Sequence, residues 1–286
     1  MRKYLFTLLI VCCCKILFGQ DISLPSSAPS IPADISFEKK HLTTDLSAGH
    51  LQTSPAIEDF RKINFESASN HLLDKTIASP YTTSLLKDGL AITGAVGVTL
   101  LGYSLIENKN NLTPGELAEK TKDKVPFFDR FVAGNYSAQA DKDSYILFDA
   151  SYALPFIAAL VDKKQRAKFG QVVVLYLETI AITGSMYTLS AGLVYRSRPF
   201  VYGEKAPYDK RLDKGAQRSF YGGHVASTAA SAFFVSKVFH DFNPGSKLTP
   251  YLYVASGSLT ALMAYFRMRS GYHFFSDCLL SGVIGT

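Results

Sequence analysis

The sequence predicts an all-α protein, a bundle of about six core helices embedded in a membrane, and three observations carry that expectation. Apolar stretches recur at residues 88–106, 144–161, 170–195, 224–240 and 250–266, and a sixth begins near Phe274. Their length and small-residue content mark them as helices rather than strands. Hydrophobic residues make up 47% of the 286 and charged residues 19%, with a mean hydropathy of +0.09. That composition lies between a soluble domain and a polytopic membrane protein. No internal repeat is visible, so the helices form one domain rather than an array.

From the start of the chain, Arg2 and Lys3 precede an apolar run from Tyr4 to Cys14, and Leu17-Phe18-Gly19-Gln20 offers a cleavage region. Residues 1–20 therefore read as a signal peptide or N-terminal anchor, interrupted by Lys15. A lipoprotein signal at Leu9-Ile10-Val11-Cys12 is weak, because a small residue is expected where Val11 stands. Cys12, Cys13 and Cys14 lie in this segment and Cys278 is alone near the other end, so no structural disulfide is implied. Residues 21–60 carry Pro25, Pro29, Pro32 and Pro55 among many Ser and Thr and read as a flexible lead-in. Residues 61–286 are then the helical domain. Its last helix is truncated or short, with only about a dozen residues available against about 20 for a span.

Within the apolar stretches, Asp149, Glu178 and the Ser, Thr and Ala of 224–240 are poorly suited to lipid, and these polar groups are expected to face the bundle interior. The net charge of +6 is scattered, with no basic run interleaved with aromatics, which excludes a nucleic-acid groove and favours anionic lipid or phosphate as partner. No Gly-rich phosphate loop is present, so ATP chemistry has no support. Asp129-Arg130 beside Phe127 and Phe128 reads as an amphipathic interfacial helix, with an entry rim to the site as the other reading. His41, His50, His71 and His240 read as surface or packing residues.

The chemistry is concentrated at helix ends. Arg196-Ser197-Arg198-Pro199 closes the third helix. Ser219-Phe220-Tyr221-Gly222-Gly223-His224 opens the fourth, where free backbone N–H groups and the positive dipole end suit an anion. The two glycines could equally do no more than make the turn. Further on, Arg267-Met268-Arg269-Ser270-Gly271-Tyr272-His273 is followed by Asp277, four residues beyond His273. On a helix this pair shares a face, which permits a carboxylate to hold one imidazole nitrogen, although such pairs are more often structural. Taken together, two Arg, two His and one Asp at helix ends can converge on a small tetrahedral anion. A metal at His224, His273 and Asp277 is disfavoured by two arginines aimed at the same place.

These residues resemble the type 2 phosphatidic acid phosphatase superfamily, which includes glucose-6-phosphatase, bacterial class A acid phosphatases and vanadium haloperoxidases. Its motifs K-x6-R-P, P-S-G-H and S-R-x5-H-x3-D are met in order by Arg198 and Pro199, by Gly223 and His224, and by Arg267, His273 and Asp277. The resemblance covers about the last two thirds of the chain. It implies a metal-independent phosphatase without a cofactor, acting on a phosphorylated lipid or prenyl phosphate. In it His273 would be phosphorylated, Asp277 would orient it and His224 would protonate the leaving group. Arg198, Arg267 and Gly223 would bind the phosphoryl group. A soluble periplasmic acid phosphatase of the same fold and a catalytically silent relative that binds anionic lipid are the alternatives.

The departures fall at three places. The motif Lys falls on Ala191, the Pro and Ser of the second motif on Tyr221 and Gly222, and the Ser of the third on Phe266. Lys205, Lys210, Arg211, Lys214, Arg218 and Arg196 are the candidates to replace the missing cation. The basic connection 162–168 is expected in the cytoplasm. That would place the site on the periplasmic side of a bacterial inner membrane, in conflict with a cleaved signal followed by a full 88–106 span. The conflict disappears if the N-terminal segment is misread, if 88–106 does not cross, or if the bundle is a soluble periplasmic domain.

Overall fold

The computed structural model describes residues 78–286, so the N-terminal signal or anchor (1–20), the lead-in (21–60), three of the cysteines and three of the histidines lie outside the described residues. Six long helices make the domain: α1 (Leu85–Glu107), α3 (Ala138–Val161), α5 (Phe169–Leu193), α7 (Gly223–Phe242), α8 (Thr249–Arg269) and α9 (Phe275–Gly285). Three one-turn helices lie between them: α2 (Pro114–Ala118), α4 (Lys163–Ala167) and α6 (Tyr208–Leu212). Among the described residues there is no strand, only an isolated bridge between Arg196 and Arg218. The fold is thus the expected all-α bundle, and three of its helices, α1, α3 and α5, are long and apolar enough to cross a membrane.

Local sequence sets the helix starts. Ser84 caps α1 by accepting from the Lys87 amide, while Asp88 accepts from the Ser84 amide at 2.7 Å. Ser137 caps α3 in the same way, seven residues before the apolar stretch begins, because polar Asp141 and Lys142 fill the first turns. Asp162 ends α3 and caps α4, making the reversal into α5 short.

The Ser/Thr/Ala-rich stretch is the central helix. α7 packs against α3, α5, α8 and α9 and buries Ala226, Ser227, Thr228, Ala229, Ala230, Ser231 and Ala232 consecutively. Small side chains allow close approach on every side, and hydroxyls such as those of Ser231 and Ser236 find partners inside the bundle. Ser231 meets the Tyr176 hydroxyl at 2.8 Å, and Ser236 meets Ser256 at 2.8 Å. The polarity of this stretch therefore reflects burial in protein. Asp149 does not follow the same rule: it is exposed on the outer face of α3, and Glu178 is only partly buried. Phe127, Phe128 and Asp129 form turns rather than the expected interfacial helix, because backbone bonds such as Val132 N–H to Asp129 C=O close short loops there.

α1 lies along α5 through glycine contacts. A Cβ on Gly102 would stand 2.4 Å from the Thr188 carbonyl carbon, and one on Gly192 would stand 2.9 Å from the Gly102 carbonyl oxygen. α1 runs the whole height of the bundle. At its start Tyr81 bonds Asp241 and receives a 2.8 Å bond from Gln171, beside the 162–168 connection, and at its end Glu107 pairs with Lys214.

Candidate active site

All three motif segments meet at one end of the bundle, and backbone hydrogen bonds join them. The Arg198 amide donates to the Ala216 carbonyl at 2.7 Å and the Ser219 amide to the Arg196 carbonyl at 2.9 Å, which binds the end of α5 to the approach to α7. The Phe200 amide donates to the Gly271 carbonyl at 3.0 Å, which adds the α8–α9 connection. Gly271 has φ of 78°, and a Cβ there would lie 1.9 Å from the Asn135 carbonyl oxygen, so only glycine makes this turn. The turn delivers Tyr272 and His273 inward.

His273 is buried, and its Nδ1 lies 2.6 Å from the Ser219 carbonyl oxygen. A carbonyl can only accept, so Nδ1 carries the proton and Nε2 keeps the lone pair. Burial, then the charges of Arg267 and Arg198, hold this imidazole well below the ordinary histidine pKa despite the bond to Ser219. It is neutral at physiological pH, the form a nucleophile needs.

Asp277 does not touch His273. One carboxylate oxygen accepts from the Ser219 hydroxyl at 2.6 Å and from the Phe274 amide at 2.9 Å, and the other is paired with Arg196. The expectation that Asp277 holds the ring directly is replaced by a relay in which Asp277 fixes Ser219 and the Ser219 carbonyl fixes His273. The reason is local. Asp277 is the third residue of α9 and caps its own helix, while His273 lies before the helix begins, so the four-residue spacing spans a turn rather than one helical face.

Asp129 completes this network and was not singled out as a site residue from the sequence. Fully buried, it accepts from Arg196 at 2.7 Å, from the Ser276 amide at 2.9 Å and from the Ser276 hydroxyl at 2.6 Å. Its neighbours Phe127 and Phe131 are exposed, and no spacing rule links an acid in a turn to an arginine 67 residues away.

His224 is the second residue of α7, edge-on to Tyr145 and tilted against Phe148, with ring centroids 4.8 and 4.3 Å away. Its Nε2 is buried without a hydrogen-bond partner. Gly223 abuts the Tyr187 ring, where a Cβ would approach to 2.9 Å, and Gly222 lies over His273, where a Cβ would stand 3.4 Å from the imidazole. The N-terminus of α7 thus borders the imidazole directly.

Arg198 and Arg267 are both buried, and their guanidinium carbons lie 4.4 and 4.3 Å from the ring centroid of Tyr272. Arg267 is steadied by Asp141 at 2.7 Å and by the Ser144 hydroxyl at 2.9 Å. Among the described residues Arg198 has no carboxylate partner. Burial and the neighbouring Arg218 push it down to about 10, which still leaves it charged. The Nε of each arginine, like Nε2 of His224, is buried and unpartnered. Buried donors without acceptors are costly, and so many at one place point to an anion that completes them. Among the described residues no group of three or more His, Cys, Asp and Glu side chains could hold a metal ion.

The structure also shows why no lysine stands at position 191. Ala191 is completely buried in the core with Ile106, Tyr187 and Tyr221, beside the close α1–α5 contact, so a lysine there would have to displace core packing. Lys109, two residues beyond α1, is also buried, donating to the carbonyls of Val194 at 2.7 Å and Gln217 at 3.2 Å. No curated protein and no solved structure matches the chain. A family model does match, over residues 172–286, from within α5 through all three motif segments to the end of α9. That model describes the PAP2 superfamily, whose members are in general phosphatases, and the region of similarity holds His224, His273, Asp277, Arg198, Arg267 and Gly223.

Proposed function

We propose that the chain is a metal-independent phosphatase that hydrolyses a phosphomonoester or pyrophosphate of a lipid or prenyl carrier through a phosphohistidine at His273. The observation that carries this reading is the set of buried, unpartnered guanidinium and imidazole nitrogens gathered around a neutral His273. In the first step His224, which burial holds neutral in the protein alone, is protonated with the arrival of the phosphate anion; Nε2 of His273 attacks phosphorus, the P–O bond to the leaving group breaks, and His224 gives that oxygen its proton. In the second step His224 takes a proton from water, the oxygen attacks phosphorus, the P–N bond breaks, and its electron pair returns to His273. Arg198 and Arg267 hold the equatorial oxygens, with the amides of the first turn of α7, including Gly223, beside them.

A lipid substrate is supported by an apolar groove of about 750 Å³ between α7, α8 and α9. It begins at the site end, at Met268 and Phe275, and runs past Ala264 and Leu279 to Phe233 and Val283. The three apolar helices support membrane association. With the basic 162–168 connection in the cytoplasm, the site would face the periplasm of a bacterial envelope. The burial of Ala191 supports a second reading, a catalytically silent protein that binds anionic lipid, because one phosphate-binding cation of the motif is missing.

Phosphate release by the full chain in detergent, with EDTA present, separates the two. Phosphatidic acid, a prenyl diphosphate and p-nitrophenyl phosphate would be compared with wild type and His273→Ala. Turnover in wild type that disappears in the variant is the expected result. Equal release from both folded proteins would favour the silent reading.

A further inference from the structure

We propose that Lys210 is the third cation of the phosphate site, a substrate-binding residue supplied by the 203–218 segment; the proposal rests on the phosphatase reading above. Six basic residues could stand in for the missing motif lysine, and the structure commits four of them elsewhere. Arg196 is held between Asp129 and Asp277. Lys214 pairs with Glu107 at 2.6 Å, and Arg211 donates to the Gly203 carbonyl at 3.1 Å. Lys205 is exposed on a separate surface groove with Phe131 and Tyr265. Arg218 and Lys210 remain.

Of these two, Lys210 shares the platform of the site arginines. Its ammonium lies 5.1 Å from the centroid of the Tyr272 ring, the same ring that Arg198 and Arg267 approach to 4.4 and 4.3 Å, and it is within electrostatic reach of the Tyr272 hydroxyl. Tyr136, at 5.1 Å, and Phe200, at 5.8 Å, complete an aromatic cage around it. Arg218 is an electrostatic neighbour of Arg198 and Lys109 but has no contact with the Tyr272 ring among the described residues.

Arg198 and Arg267 repel each other beside this ring, and the carboxylate nearest the cations, Asp141, is engaged with Arg267. A tetrahedral dianion beside Tyr272 relieves that repulsion. The residue preceding the nucleophile thus gathers the three positive charges beside it. A lysine also suits the place mechanically. Its compact ammonium on a flexible four-carbon stem can reach a phosphoryl oxygen without moving the backbone.

The test is calorimetric binding of orthovanadate, a phosphate stand-in, to the full chain in detergent. We expect Lys210→Met to weaken binding by about tenfold to a hundredfold, the effect of one charge-assisted hydrogen bond. Lys210→Arg should recover part of the loss, which shows that the fold is intact, and Lys214→Met should match wild type. Lys210→Met binding as wild type does, Arg218→Met taking the loss in its place, or wild type binding no orthovanadate would each overturn the assignment. Because binding is read without turnover, an inactive wild type with Lys210-dependent binding would defeat the phosphatase reading and leave the cation site standing.

Discussion

Nδ1 of His273 is held by the backbone carbonyl of Ser219 at 2.6 Å, and Ser219 is in turn held through its hydroxyl by Asp277. The nucleophile is therefore aligned by a chain segment whose position the carboxylate fixes, and Asp277 acts on His273 through Ser219.

Ser219→Ala keeps the carbonyl but frees it from Asp277. The expected result is a fall in kcat of about tenfold to a hundredfold, the loss of one charge-assisted bond, with KM little changed. Asp277→Asn, which can still bond the serine hydroxyl, should lose less than Asp277→Ala. Steady-state kinetics on the purified chain checks both. A Ser219→Ala enzyme with wild-type kcat would show that the carbonyl is positioned without the relay.

Asp129 is expected to matter as much for stability as for activity. Asp129→Ala leaves Arg196 half-paired and strips two bonds from Ser276 at the start of α9, a change worth about 3–5 kcal/mol for a buried pair. Asp129→Asn retains acceptor capacity and should lose less. Denaturant unfolding in mixed micelles reads the difference, and similar stabilities for Asp129→Ala and wild type would remove Asp129 from the network.

Lys109 gives the stability a defined pH dependence. Burial, then the charges of Arg218 and Arg198, lower its pKa to about 8 in the folded protein, against about 10.5 for a free lysine. Between these values the unfolded chain binds more protons than the folded one, so this group's contribution rises with pH from about 8 to 10.5 and is lost as pH falls back through 8. Thermal unfolding of wild type and Lys109→Met across that window should show wild type gaining on the variant as pH rises. Parallel profiles would contradict the assignment.

Much of this was legible along the chain. Every apolar stretch named within the described residues is a helix, since length and small-residue content are local properties, and polar caps such as Ser84 and Ser137 moved only the boundaries. His224, His273, Arg198 and Arg267 stood out because each lies at the end of an apolar helix, a place sequence can identify. Asp129 did not, because a buried acid in a turn looks like any exposed one until Arg196 is brought to it.

The sequence by itself determined the helices of the described residues, the position of the candidate residues at helix ends, and the presence of alanine at position 191. Tertiary structure alone decided which partner each charged group takes. It gave Asp277 to Ser219 and Arg196 instead of His273, turned Asp149 outward on α3, and set Lys210 beside Tyr272 among six basic candidates. Helix formation depends on neighbours a few residues apart, whereas an ion pair or a buried carboxylate depends on segments tens of residues apart and on the dielectric between them, which no local pattern records.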